Sequence, residues 1–125
     1  MKNFDVFPGN EAFLLEGLEQ GCVGSISATS NASARLTAAT YNAAGTSEAA
    51  GLQETLSTVR LAISKYPLCP ALKQIAAWQR DDDSWRAVLP PNVELDTSQQ
   101  KELRGALDAL EPAAGVLTEQ LENTA

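Results

Sequence analysis

Apolar and polar positions follow two regimes along this chain. Up to Asn31 the apolar residues form two short runs, Phe4-Asp5-Val6-Phe7 and Cys22 to Ala28. Between them lies a segment whose apolar positions Phe13, Leu14 and Leu18 follow helical spacing. The first run is nearly filled with apolar residues, as a strand covered on both faces is, and Pro8-Gly9 ends it. Asn10 can cap the helix that follows, with Glu11 in the first turn, where the helix dipole favours a carboxylate, and Gly21 supplies the stop. Cys22 to Ala28 fits a second buried strand. Strand, helix, strand is the βαβ unit, which makes the strands parallel neighbours or near neighbours with both following loops at one sheet edge.

After Asn31 the period is helical nearly to the end. Ser33 or Ala34 opens an alanine-rich helix that runs to Gly45. Thr46 or Ser47 starts the longest helix, where Leu52, Leu56, Val59 and Ile63 form one stripe that must face something apolar. Lys65-Tyr66-Pro67 ends it. Pro70 sits in the first turn of a helix carrying Leu72, Ile75, Ala76 and Trp78, and Asp81 to Ser84 is a polar turn. Trp85 to Leu95, with Pro90-Pro91, reads as an extended connection rather than a sheet strand. Thr97 with Gln100 makes a capping box, Leu103, Ala106, Leu107 and Leu110 give the last apolar face before Pro112, and the tail from Ala113 is expected to fray.

The chain has 125 residues, enough for one core, and carries 9 basic against 16 acidic residues with no histidine. That balance argues against nucleic-acid and anionic-membrane partners, which need clustered Lys and Arg. The spacing of Cys22 and Cys69 resembles neither a metal knuckle nor a redox pair, so both are expected as buried free thiols in a cytoplasmic protein. No leader or bilayer-length apolar run is visible. No nucleophile–base pair, phosphate loop or metal cluster stands out, and no cofactor is called for; Asp81 to Asp83 lack the glycine and distal glutamate of a calcium loop. Lys73, Arg60 and Arg86 are expected to be solvated or ion-paired, and the Trp78 and Trp85 pair to pack helices.

Two parallel strands leave both outer edges unpaired, and all-parallel sheets are built from more strands and covered on both faces. The helices also offer more apolar surface than two strands can cover. The residues Phe7-Pro8-Gly9-Asn10-Glu11, followed by Gly24-Ser25-Ile26-Ser27-Ala28-Thr29-Ser30-Asn31, resemble the dihydrodipicolinate synthase and N-acetylneuraminate lyase family of class I aldolases. Pro70-Ala71-Leu72-Lys73 is similar to that family's proline-and-lysine stretch, and Trp85-Arg86 to Pro91 to its arginine-proline connection. The resemblance implies the α/β class: residues 1–44 as the last two βα units of a (β/α)8 barrel, 45–112 as a C-terminal helical extension and 113–125 as a frayed tail. A barrel typically needs about 250 residues, so the unpaired edges would belong to a piece of one.

The resemblance further implies chemistry on pyruvate or a related 2-oxo acid, through a Schiff base to a lysine on the sixth strand, with a fifth-strand tyrosine shuttling protons. Neither strand is present here, so no residue of this chain is assigned a catalytic role. Lys2, Lys65, Lys73 and Lys101 lack the buried strand-end setting that depresses an amine pKa. Gly9 and Ile26 match residues that line the 2-oxo-acid pocket, and Ser27 and Asn31 fall at its rim. Read from the residues alone, Gly9 is a turn glycine, Ile26 a core residue, and Ser27 and Asn31 capping and turn residues. The sequence departs from the family at Asn10-Glu11, where an acidic pair is more usual, and at Arg86-Ala87-Val88-Leu89, which breaks the arginine-proline-proline run. Partners implied are the 2-oxo acid and either the missing barrel half or another copy of the chain. The alternative is a small stand-alone helical module that binds a partner through the Leu52 to Ile63 stripe.

Overall fold

The computed structural model describes residues 4–117. Residues 4–8 and 22–27 are extended, and the link between them forms as the residue types predict. The Asn10 side chain accepts a hydrogen bond from the Ala12 N–H at 2.8 Å, and a 3-10 turn, Glu11–Phe13, runs into α1, Leu14–Glu19. Gly21 ends the unit in the left-handed region at φ 90. The Val23 N–H then donates to the Val6 carbonyl and the Ile26 N–H to the Pro8 carbonyl, both at 3.1 Å. Both partners advance along the chain, so the segments run parallel, as expected of a βαβ unit.

Two of the strand expectations need correction. From Val23 to Ile26 is three residues, whereas Val6 to Pro8 is two, so the second segment carries one residue too many at Gly24-Ser25, as at a β-bulge. The ladder is interrupted there, and no regular strand forms among the described residues. Nor are the runs buried on both faces: Phe4 is 68% exposed and Ile26 70% exposed, with Phe7 and Val23 also open. A single neighbouring segment can cover only one side of each.

Gly17 fixes how closely α1 lies on this pair. A Cβ built there would sit 2.9 Å from Pro8 Cγ and 3.5 Å from Cys22 Cβ, and the Gly17 carbonyl accepts from the Cys22 N–H at 2.8 Å. Gly17→Val is therefore expected to destabilise the chain by about 1–3 kcal/mol, the usual effect of overpacking. Urea unfolding of the two proteins checks it; an unchanged midpoint would show that α1 can move away without loss.

The helices follow the apolar period. α2, Ala34–Asn42, is followed by Gly45 at φ 82, and α3, Ala49–Ile63, buries Leu56, Val59 and Ile63. α4, Leu68–Arg80, carries Pro70 at its third position, where no intrahelical bond is lost, and ends on Asp81 in the left-handed region. Asp82 accepts from the Ser84 N–H at 2.9 Å and starts a 3-10 turn, Asp83–Arg86, so the connection expected to be extended from Trp85 begins as a turn instead.

α5 spans Thr97–Ala114 and corrects the sequence reading at both ends. Its capping box is Asp96 with Gln99, not Thr97 with Gln100. The carboxylate one residue earlier caps as well as a hydroxyl does and adds charge favourable to the helix dipole, while the Gln100 amide donates to the Leu95 carbonyl at 2.7 Å. At the other end the helix continues through Pro112 and stops at Gly115, φ 62. Residues 113–117 do not fray. Val116 is buried, the Leu117 N–H donates to Glu111 at 2.8 Å, and the Gln79 amide donates to the carbonyls of Val116, at 2.8 Å, and Ala32, at 3.1 Å. The rest of the expected tail, 118–125, and Lys2 lie outside the described residues.

Leu14, Leu36, Leu56, Val59, Ile63, Ile75, Leu103 and Leu107 belong to one buried cluster, with α3 packed against both α2 and α5. The Leu52 to Ile63 stripe is thus spent on this chain's own core, which removes the surface a stand-alone binding module would have used. Cys69 is exposed and Cys22 half-buried, against the expectation of two buried thiols; both are free. Position two of α4 faces solvent, which the flanking prolines do not reveal. Trp78 packs on the core beneath Arg104, whereas Trp85 lies on the outside beneath Arg80.

Candidate functional site

The extended pair brings Gly9 and Ile26 together. The bond from Ile26 N–H to the Pro8 carbonyl places Ile26 beside the end of the first segment, one residue from Gly9. Both are exposed, and nothing lies within 4 Å of where a Gly9 Cβ would be. An isoleucine left open beside bare backbone makes a small apolar ledge at the loop edge of the pair. Ser27 and Asn31 do not join it. The Ser27 hydroxyl accepts from Arg60 Nη1 at 3.1 Å and lies 3.1 Å from the Thr29 hydroxyl, while the exposed Asn31 amide donates to the Ala28 carbonyl at 3.0 Å.

Behind the ledge lies a polar network that the sequence did not announce. Glu11 is fully buried. One of its carboxylate oxygens accepts from Arg60 Nη1 at 2.8 Å and the other from the Thr29 hydroxyl, which itself accepts from Arg60 Nη1 at 2.7 Å. The two protons on that nitrogen are shared among three oxygens, those of Glu11, Ser27 and Thr29. From α3, the Gln53 amide donates to the Glu11 carbonyl at 3.1 Å and its oxygen accepts from the Leu15 N–H at 3.2 Å. The loops after both extended segments are thereby tied to one helix.

Burial alone would raise the Glu11 carboxyl. Hydrogen bonds from Ser27 and Thr29, its own backbone N–H and the Arg60 charge outweigh burial and hold it below the ordinary value of 4.5. A depressed folded-state pKa gives stability that is fully present above the unfolded value and is lost as pH falls through the folded one. Urea midpoints are therefore expected to drop below about pH 4.5 more steeply in this chain than in Glu11→Gln, measured from pH 6 to 3 in steps of about half a unit.

Glu11 sits where an N-terminal helical carboxylate was expected, but its partner is 49 positions away, a separation no local spacing signals. Arg60 is ion-paired as expected, and so is Arg86, with Asp83 and Glu94. Lys65 and Lys101 are exposed and Lys73 half-buried on α4, so no described lysine has the buried strand-end setting of a Schiff-base nucleophile. No group of metal-ligating side chains occurs among the described residues, and no described helix is long and apolar enough to cross a membrane.

The model of the dihydrodipicolinate synthetase family matches residues 1–110 of this chain. Among solved structures the chain is similar to YagE, a prophage protein of the dihydrodipicolinic acid synthase family from E. coli K12, in complex with pyruvate. The TM-score is 0.77 and the identity 26%, over 86% of this chain and 37% of that one. The chain thus spans a little over a third of YagE's length. No curated protein matches it.

Proposed function

This chain belongs to the dihydrodipicolinate synthetase family, and we propose that it is the C-terminal portion of a (β/α)8 lyase or aldolase that acts on pyruvate or a related 2-oxo acid in the cytoplasm. Residues 1–44 supply the last two βα units and 45–112 the helical extension, whose last helix continues to Ala114. The observation that carries this reading is the exposed ledge of Gly9 and Ile26 at the loop edge of a parallel pair with unpaired sides. In barrels of this kind the loops after the strands hold the active site. Gly9 leaves room for backbone to approach a small acid and Ile26 offers an apolar wall, while the Ser27 side chain is taken up by Arg60 and Thr29 behind it. The Glu11–Arg60 network holds both loops in place from behind. The Schiff-base lysine and the proton-shuttling tyrosine belong to the part of the barrel outside this chain, so the chain alone is inactive.

The test is a chimera in which this chain replaces the matching segment of YagE. Borohydride reduction with pyruvate should leave the isolated chain unmodified and trap a covalent adduct on the chimera, and Gly9→Val in the chimera should suppress that adduct. A folded chimera that traps no pyruvate, or an adduct on the isolated chain, would overturn the reading.

A further inference from the structure

We propose that the cavity between α4, the 3-10 turn Asp83–Arg86 and the loop after the second extended segment binds a small carboxylate- or phosphate-bearing molecule. Its volume is about 260 Å³, and its charged lining groups are Lys73 and Arg80. These stand seven positions apart on α4, which is two turns and one face. No carboxylate lines the cavity, although the chain carries a net charge of −7. Leu72 and Ala76 supply an apolar wall. The volume is below the roughly 300–1,000 Å³ of drug-sized pockets and suits a small anion.

The lining cations are open to an anion. Lys73 is half-buried and takes part in no ion pair among the described residues. The Arg80 guanidinium lies over the Trp85 ring at 4.3 Å, which fixes its plane and leaves its edge N–H groups for an acceptor. Asp82 is within electrostatic reach of Arg80, but its carboxylate caps the Ser84 N–H. Both amide protons of Gln79 are committed to the Ala32 and Val116 carbonyls, so the hydrogen-bonding group it has left is its oxygen, an acceptor for a ligand hydroxyl. Two cations, one of them a stacked guanidinium, and a hydroxyl acceptor fit a hydroxylated acid or a phosphate. The cavity shares neither Gly9 nor Ile26 with the proposed 2-oxo-acid pocket, so it can be tested independently of that reading.

Trp85 reports on the site once Trp78→Phe removes the other indole. Inorganic phosphate and gluconate are titrated separately against sodium chloride at matched ionic strength. A saturable change in Trp85 emission is expected with at least one of them, and the responding probe identifies the anion class. Lys73→Gln and Arg80→Gln should each raise the dissociation constant about tenfold, the effect of losing one charge-assisted hydrogen bond, with unchanged far-UV circular dichroism. Amide chemical shifts of residues 73–80 provide the same readout if the emission is silent. A response no larger than that to chloride by both measurements, or one that survives in Lys73→Gln, would overturn the proposal.

Discussion

Arg60→Ala is expected to cost about 3–5 kcal/mol, because it strands a fully buried carboxylate without its counter-charge. Folded domains hold only about 5–15 kcal/mol in reserve, so much of the chain's stability would go with one side chain. Urea unfolding followed by tryptophan emission reads the loss. The double variant Glu11→Leu with Arg60→Met separates a stranded charge from lost packing. Removing both partners together should recover most of the stability, since an apolar pair of similar volume is often as good as a buried ion pair. If the double variant is as unstable as Arg60→Ala, the hydroxyls of Ser27 and Thr29, left facing apolar neighbours, carry the energetics rather than the charge.

Leu56→Ala is expected to lose about 2–5 kcal/mol, through the transfer free energy of the deleted atoms and the cavity they leave. Leu56 is fully buried at the middle of α3, in the cluster that α2 and α5 share. Leu61→Ala, five residues on along the same helix but 66% exposed, should stay within about 0.5 kcal/mol. Equal effects at the two positions would mean that the α3 stripe does not face this chain's own core and would reopen the reading of it as a partner-binding face.

Much of the fold was legible in the sequence because its signals are local. Asn10, Gly21, Gly45 and Pro70 act within a turn of where they stand, and the stripe on α3 follows from the helical period alone. The capping box was displaced by one residue because Asp96 and Thr97 are both competent caps and the pattern repeats with Gln99 and Gln100. The first residues of the expected tail, 113–117, were misread because what holds them, the Gln79 amide on the Val116 carbonyl, comes from 37 positions away. The candidate site was legible only where the family resemblance covered it. Gly9 and Ile26 came from that match, while Glu11 and Arg60, an ion pair whose carboxylate is fully buried, carried no local mark as partners.

By itself the sequence determined where the longer helices lie, their ends to within a few residues, and that the two extended runs belong to a parallel pair, since these depend on backbone geometry and the spacing of apolar side chains. Only the tertiary structure decided that Glu11 faces inward to Arg60, that Ser27 turns back into that network, and that Phe4 and Ile26 stay open. Burial and charge pairing depend on which distant surfaces meet, and a run rich in apolar residues looks the same whether its neighbours are in the chain or not.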